Sequence, residues 1–210
     1  MIRSLIAIVL ATAAVLSAEL YKHEAAGAPP AELAPAIAAT LQEKGHRVIA
    51  GADGKVWCEV WFVKTAPKGP ATSEADVTWK TIIPFSLVGA IRFPAQANDR
   101  RGQQIKAGVY TLRYANYPVN GDHLGVAPQR DFLVMSHAAA DLTPGPMAKF
   151  EDLIAVSRKV SGAAHPAVLS MWLVESDFEP GLGEAGEHDW ALQAAVGDAR
   201  IALILVGKAE

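Results

Sequence analysis

The ten residues KVWCEVWFVK, 55–64, constrain the fold of this chain more than any other stretch. Valine and aromatic side chains dominate it, and these suit a pleated strand surface. Successive residues of a strand face opposite sides. Val56, Cys58, Val60 and Phe62 therefore share one face, and Trp57, Glu59, Trp61 and Val63 share the other. Both faces are largely apolar, so both must be covered. Such a strand is central in a layered fold, or one of its faces meets a partner or ligand.

The rest of the chain reads as further short strands punctuated by turns. HRVIA (46–50) precedes the central segment across GADG, whose Asp53-Gly54 is a hairpin signal. VTWKTII (77–83) and FSLVGAIRF (85–93) are separated by Pro84, which marks a break. IKAGVYTLRYANY (105–117) places Tyr110, Leu112 and Tyr114 on one face and Val109, Thr111 and Arg113 on the other, with Gly108 at a bulge or bend. RDFLVMS (130–136), HPAVLSMWLVE (165–175), WALQAAV (190–196) and ARIALILV (199–206) complete the set, the last two as a hairpin about Gly197-Asp198. Residues 65–76, 118–129 and the glycine-rich, acidic 178–189 read as loops. Leu33, Ile37 and Leu41 recur every fourth residue and predict a helix ending at Gly45. A second helix is predicted over 147–160, with Phe150, Leu153, Ile154 and Val160 on its apolar side and Ser161-Gly162 at its end. Strands do not alternate with helices, so the pattern predicts an antiparallel β-sandwich or jelly-roll-like fold with one or two packed α-helices.

Met1 to Ala18 reads MIRSLIAIVLATAAVLSA: an early arginine, an apolar run from Leu5 to Leu16, then small residues. That is the layout of a secretory signal peptide. The run is shorter than the roughly 20 residues a spanning helix needs. Cleavage is the expectation, with an uncleaved N-terminal anchor as the alternative. The domain reading is then 1–18 signal or anchor, 19–35 linker and 36–210 a single β-sandwich domain, periplasmic or secreted. Cys58 is the only cysteine, which rules out an intrachain disulfide and any multi-cysteine metal cluster. It reads as a small buried hydrophobe, so the domain must stand on its hydrophobic core. A net charge of −3 offers no basic footprint for nucleic acid.

The stretch Ala107-Gly108-Val109-Tyr110-Thr111-Leu112, followed by Pro118 and by Arg130-Asp131-Phe132-Leu133-Val134, resembles secreted bacterial β-sandwich domains of unknown function. The likeness spans about 80 residues and implies the fold class alone. It implies no activity and no catalytic residue.

No G-x-G-x-x-G, Walker or G-x-S-x-G motif is present, nor C-x-x-C-H. The expectation is therefore no nucleotide and no covalent haem. Histidines are candidate ligands for a single metal ion. His123, beside Asp122, lies in the 118–129 loop, His137 follows the 130–136 strand, and His188 sits between Glu187 and Asp189. None forms an H-x-H or H-E-x-x-H pair. Trp57 and Trp61 could form an aromatic ladder for a sugar or peptide, and Tyr110 and Tyr114 another, with Asp122 as a polar contact; the competing reading is core packing. The carboxylates from Glu175 to Asp189 read as a solvated loop rather than an acid–base pair. The expected function is an exported, non-enzymatic binding or accessory protein for an unidentified small molecule or protein partner. Two alternatives remain: a metal-dependent enzyme or metal carrier using His123, His137 and His188, and an extracytoplasmic subunit of a membrane complex held by an uncleaved N-terminal helix.

Overall fold

A computed structural model describes residues 20–51, 53–119, 129–172, 174 and 179–208. Its strands are Tyr21–Ala25 (β1), His46–Ala50 (β2), Val56–Phe62 (β3), Leu87–Phe93 (β4), Ala97–Asn98 (β5), Gln104–Ile105 (β6), Gly108–Asn116 (β7), Asp131–His137 (β8), Val168–Trp172 (β9), Gly181–Ala185 (β10), Asp189–Val196 (β11) and Ala199–Val206 (β12). Ten of them form one sheet in the order β1-β2-β3-β4-β7-β8-β9-β12-β11-β10, and every pairing is antiparallel. The last four strands run as a Greek key, because β12 returns to lie beside β9. β5 and β6 form a separate small ribbon.

The mainly β, antiparallel architecture with packed helices follows the alternation in the sequence. Its two covering layers belong to one sheet, which curls until its first and last strands approach. Tyr21 on β1 and Trp190 on β11 have ring centroids 5.5 Å apart. Trp57 on β3 donates its indole N–H to the Leu205 carbonyl on β12 at 3.0 Å, although five steps of sheet order separate those strands. Curling encloses Cys58, Val60, Phe62, Ile91, Tyr110, Leu112, Met135 and Leu203 in the largest apolar cluster.

The outer face of β3 is covered as well. Glu59 is buried between Arg47 and Arg92 on the neighbouring strands. Trp61, 2% exposed, lies across Gly45 and donates to the Gly27 carbonyl at 2.8 Å. A Cβ at Gly45 would stand 2.6 Å from Trp61 Nε1, so that position has room only for glycine.

Phe150–Ser161 (α2) buries Leu153 and Val160 and ends at left-handed Gly162, φ 64°. Glu151 and Asp152 in its first turn and Arg158 and Lys159 in its last suit the helix dipole. Leu153 joins Ala115, Phe132, Val134 and Val168, so α2 seals part of the outer face of β7–β9.

Four sequence expectations are corrected. Residues 19–35 are not simply a linker, because Tyr21–Ala25 pairs with β2 and Ala26 and Leu33 are buried. The first helix is a single turn, Pro35–Ala38 (α1). Leu33, Ile37 and Leu41 are all buried as their spacing predicts, yet the chain beyond α1 turns extended, and Leu41 bridges Val63. Residues 77–83 are not a strand, since the Thr78 and Trp79 amides bind the Asp131 carboxylate instead of a ladder. Gly181–Ala185, expected in a loop, is an edge strand on β11. Among the described residues no helix is long and apolar enough to cross a membrane.

Candidate functional site

A cleft of about 330 Å³ opens on the outer side of the sheet, where β3 ends and β4 begins. It is lined by Ala39, Thr40, Val63, Lys64, Thr65, Pro67, Leu87 and Pro144. Val63 and Leu87 are buried, whereas Ala39, Lys64, Thr65 and Pro144 reach solvent. The cleft is open, and its lining mixes Ala39, Val63, Pro67, Leu87 and Pro144 with the polar Thr40, Lys64 and Thr65.

Both walls are held by hydrogen bonds. On one side Gln42 N–H donates to the Phe62 carbonyl and Lys64 N–H to the Thr40 carbonyl, each at 2.8 Å. Thr40 Oγ1 donates to the Ile37 carbonyl at 2.7 Å and Lys64 Nζ to the Ala39 carbonyl at 3.4 Å. On the other side the carbonyls of Thr143 and Gly145, which flank Pro144, accept from Arg113 at 2.6 and 2.7 Å. Arg113 is 0% exposed, projects from β7, and also pairs with Asp141 through both carboxylate oxygens at 2.7 Å. Its remaining bond goes to the Phe85 carbonyl at 2.9 Å, and Thr111 Oγ1 donates to Asp141 at 2.6 Å. The guanidinium fork thus fixes the 141–145 loop over the sheet.

The residues singled out in the sequence fall elsewhere. Trp57 and Trp61 do not stand as an exposed ladder. A register shift between Val48 and Ile49 leaves Trp57 without a partner on β2, and it packs edge-on against Phe93 with ring centroids 6.4 Å apart. Both indole N–H groups are occupied by backbone carbonyls. Tyr110 and Tyr114 are buried; Tyr110 donates to the Lys106 carbonyl and Tyr114 to Asp131. His137 packs against Tyr110, centroids 5.0 Å apart, and His188 lies in the exposed turn between β10 and β11. Asp122 and His123 lie outside the described residues. Among the described residues no three or more His, Cys, Asp or Glu side chains converge as metal ligands. Cys58 is fully enclosed, and burial followed by the Glu59 charge pushes its thiol pKa up, which leaves it inert.

A different histidine pair bridges β1 and β2. His23 Nε2 and His46 Nδ1 are 3.1 Å apart, with rings nearly parallel at 22°. Burial, followed by the neighbouring His23, brings His46 down to about 4, and burial also lowers His23. The unfolded chain then binds protons that the fold refuses. Stability contributed by a neutral His46 is complete above its ordinary pKa near 6.5 and is lost as pH falls toward 4. Allowing for its partial exposure, the loss is about 2 kcal/mol. Urea unfolding of chelator-treated protein at pH 7.5 and 4.5 measures it, and His46→Phe is expected to lose about 2 kcal/mol less than the parent over that interval.

The sequence carried faint signals for these features. Lys64 closes the β3 pattern, and Pro144 stands three residues before the helix predicted over 147–160. His23 and His46 are far apart in sequence and meet only because 21–25 is a strand. No protein-family model matches the chain, and no curated protein or solved structure matches it either.

Proposed function

We propose that this chain is an exported, non-enzymatic binding protein whose small-molecule site is the cleft beside Lys64. The observation that carries the reading is an open cleft of about 330 Å³ whose two walls are pinned independently, one by the 40–64 backbone bonds and one by Arg113. Such preorganisation reduces the ordering cost of binding. The apolar lining favours a small hydrocarbon or aromatic body, and the exposed ammonium of Lys64 favours an anionic end. The leader-like first eighteen residues support export. N-terminal sequencing of the native protein separates a mature chain starting near Glu19 from one that retains Met1 as an anchored subunit.

Calorimetric titration with octanoate, octanol and octylamine tests the site. Saturable binding with octanoate tightest is the expected result. Ala39→Trp, at a solvent-facing position, fills the cleft and abolishes it. Lys64→Gln weakens octanoate roughly fivefold and leaves octanol unchanged, as an exposed charge contributes up to about 1 kcal/mol. Undiminished binding by Ala39→Trp, or no saturable binding of any of the three, overturns the assignment.

A further inference from the structure

We propose that His23 and His46 form a two-imidazole site for a borderline divalent transition metal, with Cu²⁺ bound most tightly. The two residues are diagonal neighbours across the β1–β2 pair, His23 opposite Val48 and His46 opposite Ala25. Diagonal neighbours on one face lie within reach of long or aromatic side chains. Here they bring Nε2 of one ring and Nδ1 of the other to 3.1 Å. An ion about 2.0–2.1 Å from each nitrogen would subtend an angle of about 100°, between the square and tetrahedral values. Coordination assigns the tautomers: the His23 proton moves to Nδ1 and the His46 proton to Nε2, so both ring nitrogens facing the ion carry lone pairs.

The surroundings fit a bound but accessible ion. Phe62 packs against the His46 ring with centroids 5.8 Å apart, which limits its reorientation. His23 stands on the exposed edge strand and opens the site to solvent. With no third protein ligand among the described residues, water completes the coordination, leaving positions that an exogenous ligand can take. Imidazole suits copper, nickel and zinc, and the Irving–Williams order places Cu²⁺ above both. This site is independent of the cleft beside Lys64.

The test uses the chelator-treated full chain and the metal ions alone. Calorimetry is expected to give one equivalent of Cu²⁺, with Ni²⁺ and Zn²⁺ weaker, and the copper electron paramagnetic resonance spectrum is expected to show two coupled nitrogens. His23→Gln removes a ligand at an exposed position. It is expected to weaken Cu²⁺ at least tenfold while its melting temperature in chelator stays that of the parent. His137→Gln and His188→Gln are expected to bind as the parent does. Parent-like Cu²⁺ affinity in His23→Gln, loss of binding in either of the other two variants, or absence of a stoichiometric site overturns the proposal and leaves the pair as a hydrogen bond between imidazoles only.

Discussion

Replacing Arg113 with Met is expected to lower stability by about 4 kcal/mol, since breaking a buried ion pair by removing one partner typically costs 3–5 kcal/mol. The corresponding fall in melting temperature is roughly 10 °C for a domain of this size. All five side-chain hydrogen bonds of Arg113 vanish together, and four acceptors suffer: Asp141, Phe85, Thr143 and Gly145. Among the described residues, Asp141, 8% exposed, keeps only Thr111 as a side-chain donor and holds an uncompensated charge. The double change Arg113→Met with Asp141→Leu removes that charge and is expected to regain more than half of the loss. Arg113→Lys should recover little, because an ammonium cannot reproduce a planar fork that serves a carboxylate and three carbonyls. Limited proteolysis gives a local readout, with new cuts expected within 141–147. Because Pro144 lines the cleft, octanoate binding is expected to fall together with loop protection. A loss below about 1 kcal/mol in urea unfolding of Arg113→Met would show that the fork is not what holds the loop.

What could be read from the sequence followed the reach of local pattern. Alternation located β3, β4, β7, β8, β11 and β12, because each has at least one face that must be buried. It also put Thr111 and Arg113 on one face, although nothing local said that Asp141 would meet them 30 and 28 residues later. Alternation failed where backbone partners come from a side chain, as at Thr78 and Trp79, and where small or exposed residues leave no apolar rhythm, as in β1 and β10. Those two edge strands approach each other as the sheet curls, so its near-closure was the least legible feature. The candidate sites share that fate. The cleft draws on four separated segments and the histidine pair on two strands, one of them unrecognised from the sequence.

Asp131 is the second position where one change should have a large effect. It stands at the start of β8, fully buried, and both carboxylate oxygens are used. Oδ2 accepts from the Thr78 amide at 2.9 Å; Oδ1 accepts from the Trp79 amide at 3.0 Å and the Tyr114 hydroxyl at 2.6 Å. The Trp79 indole N–H in turn reaches the Arg200 carbonyl at 2.8 Å, and its ring packs on Tyr114 with centroids 5.7 Å apart. The carboxylate thus anchors the segment that inserts Val77, Trp79 and Ile82 into the protein. Burial, then the bond to Asp131, pushes the Tyr114 pKa up, so the phenol stays a donor at any physiological pH. Asp131→Ala leaves two amides and one hydroxyl without their acceptor, and each such orphan costs roughly 1–3 kcal/mol when water cannot reach it. The expected loss is about 3 kcal/mol, with faster hydrogen exchange confined first to residues 77–83. Asp131→Asn is also expected to fall short, because one carboxylate oxygen becomes an amide nitrogen facing an N–H or O–H donor. The two large effects are separable in space. Arg113→Met should expose 141–147 and leave 77–83 protected, whereas Asp131→Ala should do the reverse. Simultaneous exposure of both segments in either variant would mean that the two loops open as one cooperative unit.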